Sequence, residues 1–147
     1  MDDIDRELLR ALQQDARTSY ADLARQVGLS GPSVHERVRK LERDGVLRGS
    51  HADVDPHAVG LGVTALVGLQ QREGIESDDI VEALRALDAV EDCWFVAGDE
   101  AFVVKVRVAD LDALDRTLSS LRKVPGVTRT RTTVVLSTRF ESRRRIP

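Results

Sequence analysis

The apolar positions of this chain change period near its middle. Residues 1–15 put Ile4, Leu8, Ala11 and Leu12 on one helical face, with Asp2 or Asp3 as cap and acidic residues suited to the positive end of a helix. Residues 19–43 (SYADLARQVGLSGPSVHERVRKLER) read as two helices joined by a tight turn. Ser19 caps the first, and Asp22 is placed to complete a capping box. Leu23, Ala24 and Val27 form its inner face, and Gly28 stands where a helix ends in a left-handed residue. Ser30 caps the second helix, with Leu29 and Val34 as a hydrophobic staple and Val34, Val38 and Leu41 as the buried stripe. Ser33, His35, Glu36, Arg37, Arg39 and Lys40 are left outward or along the flanks. This is the grammar of a helix-turn-helix, whose second helix enters the major groove. Two helices that pack only on each other share the pattern. The short turn, the small Ala24 and the basic residues off the core side favour DNA.

Asp44–Gly45 stops the second helix. Residues 46–54 (VLRGSHADV) alternate as a short ribbon bent at Gly49, the mark of a winged variant. Such a wing would carry Arg48 or His51 toward phosphate, although an exposed hairpin with incidental charge fits as well. Residues 55–62 (DPHAVGLG) have a linker's composition. The expected division is a DNA-binding domain at 1–53, a hinge at 54–62 and a second domain at 63–147.

From Val63 the period becomes two. Val63, Ala65, Val67 and Leu69 alternate as a strand. Residues 77–88 read as a helix capped by Ser77, with Ile80, Val81, Leu84 and Leu87 inside. Strands are expected at 90–97 and 102–108, joined by a hairpin at Gly98–Asp99. A helix capped by Asp110 carries Leu111, Leu114, Leu118 and Leu121 inward and stops at Pro125–Gly126, before a Thr-rich strand at 127–137. The order βαββαβ is the α+β ferredoxin-like sandwich, an antiparallel sheet with both helices on one face. The uncovered face would draw on Val63, Val67, Cys93, Phe95, Val104 and Val106 or their alternates. A second copy is the economical cover, so a homodimer is expected, with two reading heads one helical turn apart.

Net charge is only −3 over 147 residues, so DNA contact has to come from a local patch. Residues 30–51 supply one, with five basic and three acidic side chains. The single Cys93 excludes an intrachain disulfide and a multi-cysteine zinc site, and reads as a small buried hydrophobe. With no long apolar run or leader pattern, a cytoplasmic protein without membrane contact is expected. His51, Asp53, Asp55 and His57 share an alternating spacing, but nothing closes them into a metal site. No phosphate loop or nucleophile elbow occurs, so no catalytic residue, metal or cofactor is nominated. Arg143–Arg145 form a short basic tail.

The segments IDRELLRAL, DARTSYADLARQVGLS, VHERVRKLERDGVLRG, VAGDEAFVVKV and VPGVTRTRTTVVL, in this order from about Asp2 to Leu136, resemble the leucine-responsive regulatory protein/AsnC (feast/famine) family of transcriptional regulators. The resemblance implies a winged helix-turn-helix domain and an amino-acid-sensing βαββαβ domain. It puts DNA contacts on Ser30, Ser33, His35, Arg37, Arg39 and Lys40. Arg37 suits a phosphate or guanine, unless it pairs with an acid such as Asp22; His35 can equally be solvated. It also implies an amino-acid effector held between subunits by Gly98, Asp99, Glu100, Thr130 and Thr132, and assembly of dimers into an octamer. The chain departs from many relatives in carrying Ala101 where they have a second Asp. Without the family, Gly98–Asp99 reads as a plain hairpin turn. Two other readings stand beside this one: an architectural DNA-binding protein without an effector, and a tetrapyrrole decarboxylase-like enzyme using His51, His57 and Arg48.

Overall fold

The computed structural model describes residues 1–141 and residue 146; Arg143–Arg145 lie outside the described residues. The chain divides into two compact units, one of residues 1–53 with Phe140 and Glu141, the other Val54–Arg139.

The first unit holds α1 (Asp3–Gln14), α2 (Tyr20–Val27) and α3 (Gly31–Arg43). The capping box occurs at α1 rather than α2. The Asp5 N–H donates to the Asp2 carboxylate (2.8 Å) and the Asp2 N–H to the Asp5 carboxylate (3.1 Å). At α2 the Ser19 hydroxyl accepts from the Asp22 N–H, but the Asp22 carboxylate accepts from that same hydroxyl (2.6 Å) and not from the backbone. Gly28 ends α2 at φ 67°, a left-handed conformation that lets the chain turn at once into the Ser30 cap of α3. Leu8, Leu23, Ala24, Val34 and Val38 form the core, with Ile4, Ala11, Leu12, Val27 and Leu29 packed around it. Leu29 and Val34 thus meet in one cluster, as a staple requires.

The ribbon expected over residues 46–54 does not form. After Asp44 and Gly45 the N–H groups of Val46 and Leu47 both donate to the Leu41 carbonyl (2.9 and 3.0 Å), and Leu47 packs on the helical core. These two residues therefore finish α3 instead of starting a strand, and Gly49, Ser50 and Ala52 offer little pleated surface to a partner. Part of the expected linker is also ordered. Asp55 accepts from the His57 N–H (2.9 Å), and the Leu61 N–H closes onto the Pro56 carbonyl (2.8 Å), which makes a turn within the second unit.

The second unit runs β1 (Val63–Gln71), α4 (Ser77–Arg85), β2 (Val90–Phe95), β3 (Phe102–Val108), α5 (Leu111–Arg122) and β4 (Val127–Val135). The four strands pair antiparallel in the order β2-β3-β1-β4. Ala65, Val67, Leu69, Phe102, Val104, Val106 and Val108 face the helices and pack against Ile80, Leu84, Leu114 and Leu121. Ser77 is not the cap of α4: Glu76 is, without a side-chain bond, and the Ser77 hydroxyl donates to Gln71 instead (3.1 Å). Asp110 does cap α5, while Leu111 stands exposed in its first turn.

Of the residues weighed for the uncovered face, Val67, Val104 and Val106 lie beneath the helices, and Val63 packs against the same core. The open face takes the alternates: Thr64, Leu66, Gly68 and Gln70 on β1, with Val103, Lys105 and Arg107 opposite on β3 and Trp94 on β2. Leu66 and Trp94 are exposed there. Cys93 and Phe95 share the helix side with Val104 and Phe102 but sit on the edge strand β2, and Cys93 is exposed rather than buried.

Leu23→Ala removes a fully buried side chain from the three-helix core. A loss of about 2–5 kcal/mol is expected, read as a lowered midpoint in urea unfolding followed by helical circular dichroism.

Candidate nucleic-acid interface and ligand loop

Burial of Val34, Val38 and Leu41 sets how α3 is turned about its axis. At about 100° per residue, Glu36 and Arg43 then stand opposite the buried stripe, with Ser33, Arg39 and Lys40 beside them and His35 and Arg37 on the two flanks. Ser33, Glu36, Arg39, Lys40 and Arg43 are all exposed. Ser30 and Ser33 share a hydroxyl–hydroxyl bond (2.8 Å) at the helix N-terminus, where backbone N–H groups and the helix dipole suit a phosphate. Arg43 donates to Glu36 across two turns (3.0 Å).

The flanks are committed to the protein itself. On one side the His35 ring meets Tyr20 of α2 edge-on, with centroids 5.1 Å apart at 88°. His35 is therefore held against α2 and is not simply solvated. On the other side the Arg37 guanidinium donates to Asp2 (2.7 Å) and Asp5 (2.8 Å) at the start of α1. The Asp5 side chain in this pair is largely buried. Arg37 is thus turned from the outward face, and its partners are not Asp22, which pairs with Arg25. The Asp5 N–H and then the Arg37 guanidinium hold the Asp2 carboxyl below its ordinary 3.8, and the Asp2 and Asp5 carboxylates push the Arg37 guanidinium further up. These two bonds, spanning 35 and 32 positions of sequence, tie α3 to the start of α1.

In the second unit, residues 96–101 connect β2 to β3. The Val96 N–H donates to the Ala101 carbonyl and the Ala101 N–H to the Leu69 carbonyl (both 2.9 Å), so one amide of the loop is already engaged by the sheet. Gly98 and Asp99 are exposed at the tip. Glu100 folds back over the open face, where a Cβ on Gly68 would lie 2.6 Å from its Cγ. Its carboxylate forms an ion pair with Arg131 of β4 at 2.6 Å and is mostly buried. Thr130 and Thr132 pair with Leu69 and Val67, so they stand on the helix side of the sheet, opposite Glu100 and Arg131. The five expected ligand residues therefore fall into three places: the loop tip, the open face and the far side of β4. Arg131 was not anticipated. Its signal was the alternation TRTRT over 128–132, which puts Arg129 and Arg131 on one face and Thr128, Thr130 and Thr132 on the other.

A three-helix reading head followed by a βαββαβ sandwich defines a DNA-binding regulator with an appended regulatory domain. The chain belongs to the Lrp/AsnC family: residues 1–42 match the AsnC-type helix-turn-helix domain and residues 63–145 the Lrp/AsnC ligand binding domain. It is 41% identical over 147 residues to the HTH-type transcriptional regulator LrpA of Mycobacterium tuberculosis, covering all of this chain and 97% of that one. It is 36% identical to the leucine-responsive regulatory protein of Escherichia coli, covering 98% and 90%. The solved feast or famine regulatory protein of M. tuberculosis in complex with L-methionine superimposes with a TM-score of 0.93, at 41% identity over 99% of both chains. These relatives are transcriptional regulators and not enzymes, which sets aside the decarboxylase-like reading of His51, His57 and Arg48. Among the described residues no helix is long and apolar enough to cross a membrane.

The depressed acidity of Asp2 gives the α1–α3 tie a pH signature. A carboxyl whose pKa falls on folding stabilises the fold above its unfolded value, and that stabilisation is lost as pH drops through the folded value. Arg37→Ala is therefore expected to lower the urea midpoint at pH 7, with the gap to the parent closing as pH falls below 3.8. Urea titrations of both proteins between pH 7 and pH 3 check this.

Proposed function

We propose that this regulator binds double-stranded DNA sequence-specifically through the outward face of α3, as a cytoplasmic homodimer. The carrying observation is that Ser33, Arg39 and Lys40 are exposed on that face while its apolar stripe is buried. Arg39 and Lys40 serve phosphate, Ser30 and Ser33 the helix N-terminus, and His35 reaches the groove edge from its place against Tyr20. Arg37 acts by fixing α3 on α1. The dimer is supported by the exposed Leu66 and Trp94 on the open sheet face, and further assembly to an octamer follows from family likeness. Arg39→Ala and Lys40→Ala are each expected to weaken binding evenly across sequences and to reduce the slope of log affinity against log salt by about 1. Titration against the upstream DNA and an unrelated duplex at two salt concentrations measures both. Equal affinity for the two duplexes, indifferent to amino acids, would instead indicate an architectural role.

The effector in this reading is an amino acid bound at the dimer interface beside the loop that carries Gly98, Asp99 and Glu100. A relative of the same fold binds L-methionine. Glu100 and Arg131 support the reading, since a carboxylate and a guanidinium held together complement the ammonium and carboxylate of an amino acid. Thr130 and Thr132 can contribute from β4 only where a partner subunit approaches its outer edge. Asp99→Ala is expected to abolish the thermal shift produced by L-methionine or another effective amino acid, leaving DNA affinity without ligand nearly intact. A shift that persists in this variant would move the ligand away from the loop.

A further inference from the structure

The outward centre of α3 carries a carboxylate. Glu36 stands opposite the buried Val34–Val38–Leu41 stripe and its side chain is 69% exposed. An ionised carboxylate can only accept hydrogen bonds, and phosphates repel it, so toward a DNA backbone it has nothing to offer. In the major groove it has a favourable partner, a base amino group. Adenine N6 is flanked on both sides by acceptors, its own N7 and thymine O4, which repel a carboxylate, whereas cytosine N4 has an acceptor, guanine O6, on one side only.

Arg43 strengthens the case. Its Nη2 lies 3.0 Å from Glu36 Oε1, although the two residues are two turns apart, and both side chains stay exposed. The guanidinium neutralises the charge, and each group keeps hydrogen-bonding capacity beyond this contact. An acceptor and a donor therefore stand side by side on the outward face. A C·G pair shows the complementary arrangement, the cytosine N4 donor beside the guanine O6 and N7 acceptors. Arg37, the next cation along, is bound to Asp2 and Asp5 and does not neutralise Glu36.

We propose that Glu36 is a specificity-determining residue: its carboxylate accepts from cytosine N4 of one C·G pair in the binding site, while Arg43 offsets its charge and donates toward the paired guanine. The proposal rests on α3 being the DNA-reading helix.

The test uses the full chain. Binding is selected from randomised duplexes, then measured on the preferred duplex with each base pair replaced in turn, for the parent, Glu36→Ala and Glu36→Gln. The parent is expected to favour C·G at one position by about 5- to 150-fold, the range of a good side-chain–base contact. Glu36→Ala is expected to lose that preference at that position alone, with the other positions unchanged and non-specific affinity undiminished. In Glu36→Gln the position is expected to gain A·T, because a glutamine amide matches adenine N6 and N7. Matched melting temperatures show that the variants fold. A Glu36→Ala profile that superimposes on the parent's overturns the proposal and leaves the DNA reading standing. A parent that binds no duplex overturns both.

Discussion

The burial of three residues on one helix decides what this protein can present to a partner. Val34, Val38 and Leu41 are at most 4% exposed, and together they forbid α3 to rotate about its axis. Every other side chain of the helix then has its direction assigned. Arg37 meets the start of α1, His35 meets Tyr20, and Glu36, Arg39, Lys40 and Arg43 face out. A rotation of one residue position would put a charge into the core, at a cost far above the stability of a domain this size. The tie from Arg37 to Asp2 and Asp5 adds a second restraint along a different direction. The apolar stripe fixes rotation, and the ion pair resists sliding of α3 past α1. Reading a groove requires both, since a contact geometry set to within a fraction of an ångström cannot rest on non-directional packing alone.

The sheet obeys a similar constraint with period two. Phe102–Val108 alternates buried and half-buried along its whole length, which pins the register of β3 against both neighbours. The open face then collects Lys105 with Glu91 (3.2 Å) and Arg107 with Glu91 (3.4 Å), so it is not a uniformly greasy surface. Leu66, Trp94 and Val103 supply apolar area between charged rows. Gly68 belongs to the same design. A side chain there would occupy the space that Glu100 uses to reach Arg131.

What could be read from the sequence was what is local. Caps at Ser19, Ser30 and Asp110, the left-handed Gly28, the buried stripe of α3 and the βαββαβ order all follow from signals within a few residues. The expected ribbon after α3 failed because the last turn of a helix competed for the same N–H groups at Val46 and Leu47. The partners of Arg37 were illegible because three acids lay within plausible reach, and only the packing of α1 on α3 chooses among them. The open sheet face was equally hidden. Cys93, Trp94 and Phe95 are all apolar, so alternation cannot say which of them points toward the helices. Of the ligand residues, Glu100 gains a partner and Thr130 and Thr132 fall on the other face; a strand's period of two allows that split but does not say which face the loop will fold over.

A chain with net charge −3 must solve an electrostatic problem to approach DNA. Screening confines each exposed charge to about 8 Å at physiological salt, so the total matters less than which charges share a surface. Within the helical unit several acids are answered in place: Asp2 and Asp5 by Arg37, Asp22 by Arg25, Glu36 by Arg43. The cations used this way are lost as phosphate ligands, but they remove the repulsion that their partners would exert on the duplex. Arg39 and Lys40 remain exposed on the same face as the Glu36–Arg43 pair. A small patch of this kind binds non-specific DNA weakly, since few counterions are released. In the proposed DNA-binding mode discrimination then comes from base contacts, and a face that is sparsely cationic and holds an acid at its centre suits discrimination more than grip.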